Sequence, residues 1–175
     1  MTVRALFRSL VTPAVLTLLF AACNATDLPD PGADLIVPGE RIGDLPAIGT
    51  TGATVRNLDH DAVSEFTAGN LYRWLDDADE TIWMLFVCTS VDEVTALYIY
   101  DKPGNERFAT AEGIGLESSE AEVLAALGEP DRVFEWEDNR QLSYFTTDDV
   151  AGLTVAFKTD ALDSAFGLWV GTRCD

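Results

Sequence analysis

The residues best suited to acid–base chemistry are the single histidine and a few neighbouring carboxylates. His60 lies between Asp59 and Asp61 and is the one histidine in the chain. An imidazole can act as a general base, but no motif nucleophile stands near it in the sequence. Carboxylate pairs such as Asp148-Asp149 and Glu135/Glu137 suit glycoside hydrolysis, yet a chain with 30 acidic residues contains such pairs by chance. We expect no catalytic residues and interpret His60 as a solvated helix cap.

The acidic run from Asp76 to Glu80 offers oxygen ligands of the kind that Ca²⁺ prefers. It lacks the spacing and the glycine of an EF-hand loop, and a solvated hairpin turn explains it equally well. The sequence also lacks the CxxC spacing or histidine cluster of a zinc site. We therefore expect no metal and no cofactor.

The first 22 residues have the order of an export signal. Arg4 and Arg8 precede an apolar run from Leu10 to Phe20, which the small pair Ala21-Ala22 follows. The run has about a dozen residues, whereas a membrane-spanning helix needs roughly 20. Residues 1–22 are therefore interpreted as a signal peptide that is removed.

Phe20-Ala21-Ala22-Cys23 resembles the lipobox of bacterial lipoproteins, although Phe20 stands where leucine is usual. The resemblance implies that Cys23 carries the lipid and becomes the first residue of the mature chain. Asn24, rather than aspartate, then implies anchoring at the periplasmic face of the outer membrane. An ordinary signal peptide followed by a chance cysteine is the alternative.

Cys88 and Cys174 remain as an even pair in a chain destined for an oxidising compartment. A disulfide between them closes a loop of 86 residues and contributes about 4 kcal/mol in the chain-entropy model. Alternatively, Cys88 is a small buried hydrophobe in the apolar run that begins at Trp83, and Cys174 lies at a frayed end.

The charge of the chain limits its partners. It carries 30 acidic and 11 basic residues, and its formal charge of −19 becomes −21 when Arg4 and Arg8 are removed. Nucleic acid is excluded because phosphate neutralisation needs a face of lysines and arginines. Basic proteins or cations fit better. A hydrophobic content of 47% indicates that the carboxylates decorate a folded body.

Helices are predicted to precede antiparallel strands in each half of the chain. Ser118 or Ser119 caps a helix that Gly128 ends, and strands follow over 133–136, 142–145, 153–157 and 166–170. The first half predicts helices over 52–58 and 61–68, then strands over 71–75, 81–87 and 95–100. This order predicts an α+β fold with a helix pair packed on an antiparallel sheet.

The two halves also show weak self-similarity. Residues 48–55 lie over 116–123 at an offset of 68, and residues 84–99 lie over 155–170 at an offset of 71. Few residues are identical, so chance patterning is the alternative. The predicted organisation is a signal peptide (1–22), a flexible tether (23–40), a first, degenerate α+β unit (41–105) and a second α+β unit (106–175).

The segment from Gly113 to Pro130 resembles the signature of the SmpA/OmlA (BamE-like) outer-membrane lipoproteins. In that family a glycine-led helix ends in Leu-Gly-x-Pro, as at Leu127 to Pro130 here, and leads into an antiparallel sheet. A tandem copy is similar to the β-lactamase inhibitor protein architecture, in which two halves present a concave sheet to a protein. The resemblance implies a scaffold and no chemistry.

The strand segments are dense in tryptophan and tyrosine, and alternation turns some of these side chains away from the helices. The alternative is that each belongs to the core. The sequence thus predicts a non-catalytic, lipid-anchored envelope protein that contacts an unidentified protein partner in assembly or inhibition; a small-ligand or cation-binding lipoprotein is the alternative. The candidate interaction aromatics are Trp74, Trp83, Trp136, Tyr144 and Trp169.

Overall fold

A computed structural model describes residues 33–66, 68–146 and 151–172. Strands take up 48% of the structure and helices 9%. In chain order the elements are β1 (Ile36–Val37), β2 (Arg41–Ile42), α1 (Gly52–Val55), β3 (Asp61–Phe66), β4 (Gly69–Leu75), β5 (Thr81–Cys88), β6 (Glu93–Tyr100), α2 (Glu120–Leu127), β7 (Arg132–Trp136), β8 (Asn139–Phe145), β9 (Ala151–Lys158) and β10 (Ala161–Gly171).

Eight strands form one antiparallel sheet in the order β3-β4-β5-β6-β10-β9-β8-β7, and β1 pairs with β2 in a separate two-stranded sheet. The sheet consists of two four-stranded meanders that meet where β6 pairs with β10. One short helix precedes each meander. The meander order places β3 and β7 at the two edges.

The predicted fold class, a helix pair packed on a sheet, is wrong, because the described chain is mostly β-sheet with one helix in each half. The predicted helix over 61–68 is strand β3, in which Asp61 pairs with Arg73 and Val63 with Leu71. A helix of eight residues is marginal by itself, because few hydrogen bonds repay its nucleation. Pairing with β4 supplies the backbone partners instead.

The predicted helix of the second half is confirmed as α2. Ser119 is its N-cap and forms a capping box with Glu122, and the N–H of Gly128 closes the helix on the carbonyl of Leu124. Gly128 has a φ of 81°, which a residue with a side chain adopts only at a cost. Arg140 of β8 ties the helix to the sheet by donating from Nε to Glu120 at 3.1 Å.

The main core lies between the sheet and the two helices, on what we call the helix-side face. Val55 of α1 and Val123 of α2 are both fully buried there. The N-terminal hairpin joins the same core, since Ile36 is 1% exposed and its N–H donates to the carbonyl of Ala109 at 2.8 Å. The folded body therefore includes residues of the predicted tether.

The opposite surface of the sheet, which we call the open face, carries a second and smaller buried cluster. It is centred on Phe86, which is fully buried, and the half-buried Tyr100 and Trp169 pack against it. One row of paired residues crosses the open face through all eight strands. In sheet order this row is Asp61, Arg73, Met84, Tyr98, Trp169, Thr154, Ser143 and Arg132.

Candidate binding groove on the open face

A cavity of about 760 Å³ lies on the open face over β6, β10, β9, β8 and β7. It forms because the residues in the middle of this region are small: Gly167 and Gly171 on β10, Thr154 on β9 and Ser143 on β8. A Cβ atom at Gly167 would meet nothing nearer than the carbonyl oxygen of Ile99, at 3.6 Å. Small side chains between larger ones leave a groove, which we call the open-face groove.

Aromatic side chains form the two sides of the groove. Tyr98 and Tyr100 stand on β6 at one side, and Phe134 stands on β7 at the other. Their exposure differs, since Tyr98 is 7% exposed and Phe134 is 51% exposed. The groove is therefore closed toward the buried cluster and open toward the edge of the sheet. The remaining aromatic residues of the lining are Phe145, Phe166 and Trp169.

The polar groups of the groove are hydroxyls, an amide and a guanidinium. Thr154 is 1% exposed, and its hydroxyl donates to Oγ of the half-buried Ser143 at 3.0 Å, which satisfies the buried hydroxyl of Thr154. Gln141 lies in the same lining. Arg132 is exposed, and its guanidinium lies over the ring of Phe145 at 5.3 Å from the centroid. None of the described lining residues is acidic.

Two of the five candidate interaction aromatics lie on the open face. Trp169 lines the groove, with its ring 5.7 Å from that of Tyr98. Trp136 is 61% exposed and stands two residues beyond Phe134 on the edge strand β7, so the two share a face.

The other three candidates lie on the helix-side face. Trp74 and Trp83 are a cross-strand pair whose rings stack at 3.5 Å and pack against the main core. Tyr144 donates its hydroxyl to the carbonyl of Gly128 at 3.1 Å. Burial, and secondarily the carboxylate of Glu129, raises the pKa of the Tyr144 phenol, so the hydroxyl keeps the proton that it donates.

Four lining residues are not among those predicted from the sequence to bind a partner: Arg132, Phe134, Phe145 and Phe166. A usable signal was present in β7, where Arg132, Phe134 and Trp136 alternate and must share one face. No local signal connects β7 with Phe166, because that residue is on β10 and two other strands lie between them. The strand order alone brings them to one groove.

The described candidates for acid–base chemistry and calcium binding have structural roles in the fold. His60 is not a helix cap, because the helix predicted after it is a strand; its ring packs against those of Tyr72, at 4.7 Å, and Trp74. Glu135 forms an ion pair with Arg140. Asp76 closes the β4–β5 hairpin by accepting from the N–H groups of Ala78 and Glu80. Asp148-Asp149 lies outside the described residues.

A second cavity, of about 620 Å³, lies beside α2, and its lining includes four glutamates among small and apolar residues: Glu106, Glu112, Glu117 and Glu122. Within the described ranges, no three or more His, Cys, Asp or Glu side chains are grouped so that they could hold a metal ion.

Cys88 is disulfide-bonded. Its partner lies outside the described residues, which contain neither Cys23 nor Cys174.

In the part of the chain that the structure describes, neither helix has the length and apolar character to cross a membrane.

Compared with models of protein families, with curated proteins and with solved structures, the chain has no match. The resemblance to the SmpA/OmlA lipoproteins therefore stays a prediction from the sequence, and the open-face groove is the feature from which a function is inferred.

Proposed function

We propose that this protein is an exported lipoprotein, anchored to a bacterial envelope membrane through Cys23, that binds a protein partner in its open-face groove without catalysis. The observation that carries the binding role is the groove itself. Six aromatic side chains line it, on a surface that neither helix covers. Aromatic residues and arginine are the side chains that most often dominate protein–protein binding energy.

The shape of the groove favours a polypeptide partner. It spans five strands and reaches the edge strand β7, where every residue is exposed. Small-molecule sites of comparable volume enclose most of their ligand. The half-exposed Phe134 leaves this groove open on one side, so an extended segment can enter along its length.

A small ligand is the second candidate, because about 760 Å³ falls within the range of small-molecule pockets. The two candidates are expected to contact different sets of residues. The partner extends beyond the groove to Trp136, whereas the small ligand stays among the lining residues.

The proposed binding role is tested with a photo-crosslinking amino acid at Phe134 in cells of the native host. The matched control is Val91, which is 56% exposed and outside the groove lining. We expect a discrete crosslinked protein from position 134 only. Gly167→Val, which adds bulk to the groove without left-handed backbone strain, is expected to remove that product. Crosslinks of equal yield at both positions would contradict the proposal.

The lipid anchor is tested by mass spectrometry of the native protein. We expect the chain to begin at Cys23 with attached acyl chains, and Cys23→Ser to release the protein from the membrane fraction. A native chain that retains Met1, or an unmodified thiol at Cys23, would contradict the lipoprotein assignment.

A further inference from the structure

We propose that Arg132 selects the partner of the open-face groove by binding a carboxylate that the partner presents beside an apolar or aromatic side chain. The inference rests on the proposed function, because it names the partner chemistry of the same groove. Three observations support it: the pairing of the other cations, the position of the guanidinium, and the composition of the groove lining.

Arg132 differs from every other cation in the part of the chain that the structure describes. Eight lysines and arginines lie there, and seven form an ion pair; Arg132 forms none with a described residue. A chain with 30 acidic and 11 basic residues offers carboxylates in excess. Arg132 therefore marks a place where the described part of the chain provides no carboxylate partner. The paired cations are Arg41, Arg56, Arg73, Lys102, Arg107, Arg140 and Lys158.

The guanidinium of Arg132 is positioned for recognition. Arg132 is the last residue of the eight-residue row on the open face. The central carbon of its guanidinium lies 5.3 Å from the ring centroid of Phe145. A cation–π contact of this kind orients a guanidinium and uses none of its N–H donors in hydrogen bonds. A guanidinium presents a planar fork of donors that matches a carboxylate in two parallel bonds.

The lining explains why the carboxylate belongs next to an apolar group. The sides of the groove are aromatic and none of the described lining residues is acidic, so an anion entering it meets Arg132 without a competing like charge there. The whole chain has a formal charge of −19, which repels a polyanion at long range. The partner segment is therefore apolar with one carboxylate, and the partner as a whole is neutral or basic.

The test measures the binding of three blocked tetrapeptides to the mature lipoprotein in detergent micelles. Their sequences are Leu-Phe-Glu-Leu, Leu-Phe-Gln-Leu and Leu-Phe-Lys-Leu, each with 4-fluorophenylalanine as the reporter for ¹⁹F NMR. We expect the glutamate peptide to bind about tenfold more tightly than the glutamine peptide, because a charged hydrogen-bond pair is added, and the lysine peptide to bind least.

Arg132→Gln is expected to abolish the preference for glutamate. The matched control is Arg56→Gln, which removes the same charge from an arginine that is paired with Asp92 and lies outside the groove lining. The control is expected to leave the preference within about twofold of the wild type, because Arg56 ends helix α1 on the helix-side face and its charge is already paired with Asp92. Arg132→Lys keeps the charge but loses the planar pair of donors. Its preference for the glutamate peptide is expected to lie between that of the wild type and that of Arg132→Gln.

The outcomes separate this inference from the proposed function. Equal binding of all three peptides, lost in Gly167→Val, would overturn the role of Arg132 while the groove remains the binding site. A preference for the glutamate peptide that persists in Arg132→Gln would also overturn the role of Arg132 and leave the groove as the binding site. Absence of peptide binding overturns the inference, and the crosslinking at Phe134 then decides the proposed function by itself. Binding of 3-phenylpropionate as tight as that of the glutamate peptide would reassign the groove to a small anionic ligand.

Discussion

Ser119 and Glu122 hold the first turn of α2 through reciprocal hydrogen bonds. The carboxylate of Glu122 accepts from the backbone N–H and the hydroxyl of Ser119 at 2.9 Å each, and Ser119 Oγ accepts from the N–H of Glu122. The same helix packs Val123 into the main core on the helix-side face. The cap therefore stabilises a helix that packs on the sheet, on the face opposite the groove.

Ser119→Ala is expected to lower the free energy of unfolding by about 1 kcal/mol, because it leaves an N–H group of the first helical turn without its acceptor. Urea unfolding followed by circular dichroism measures this loss. Ser119→Asp restores an acceptor and serves as the control, with a loss of less than half as much. A Ser119→Ala variant as stable as the wild type would show that the cap contributes nothing.

The same hydrogen bonds give the stability a dependence on pH. The Ser119 backbone N–H, and after it the Ser119 side chain, lower the pKa of Glu122 from its ordinary value of 4.5. A lowered pKa in the folded state means that this contribution is complete above the unfolded pKa and is lost as the pH falls through the folded pKa.

Glu122→Gln is therefore expected to lose less stability than the wild type between about pH 5 and pH 3, the range that brackets the ordinary pKa of the group. Urea unfolding midpoints at several pH values measure the slope. Glu117→Gln, which removes a carboxylate of the same type just before the helix, is the matched substitution with which the slope of Glu122→Gln is compared. An unchanged slope in Glu122→Gln would contradict the assignment.

At the scale of elements, β4 and β5 are joined on the helix-side face by the stacked pair Trp74 and Trp83. Their rings are nearly parallel, at 7°, and directly opposite in the register of the two strands. Each ring is half-buried against the main core, so the pair contributes to the fold, while the groove is on the other face of the sheet.

Trp74→Ala and Trp83→Ala are each expected to lower the free energy of unfolding by about 2 kcal/mol, which is less than for a fully buried ring. The double variant is expected to reveal a coupling of about 1 kcal/mol between the two rings. Peptide binding in the groove is expected to stay unchanged in these variants and to weaken in Trp169→Ala. Additive losses with no coupling would contradict a stabilising stack.

For the whole molecule, the disulfide of Cys88 and the proposed lipid on Cys23 constrain each other. Two cysteines lie outside the described residues, and a cysteine that carries a lipid thioether cannot form a disulfide. The N–H of Thr172, two residues before Cys174, donates to the carbonyl of Thr95 in β6. Glu93, in the same strand, pairs with Cys88. These contacts favour Cys174 as the partner.

Peptide mapping of the native protein without reduction is expected to link Cys88 to Cys174 and to leave Cys23 acylated. Reduction is expected to remove about 4 kcal/mol of stability by the chain-entropy model, which lowers the melting temperature. Cys174→Ser supplies the control, since reduction should change its melting temperature little. A peptide that links Cys88 to Cys23 would contradict both the pairing and the lipid anchor.

Elements whose signals are local could be predicted from the amino-acid sequence. Ser119, Glu122 and Gly128 mark both ends of α2, because a cap and a terminator act within one helical turn. Alternation predicted most strands of the sheet to within a few residues, because the period of two is a property of each strand alone. The helix predicted over 61–68 was wrong, because this segment forms strand β3 by pairing with a later strand, β4, which no local signal reveals.

Which aromatic residues meet in a site depends on the order of the strands in the folded sheet. Alternation shows that residues two apart share a face, but it does not show which face the helices cover. Trp83 and Trp169 are both strand tryptophans, yet the first lies on the helix-side face and the second in the groove. Phe134 and Tyr98 stand on strands that three others separate, and the order of the sheet alone brings them together with Arg132 around one groove.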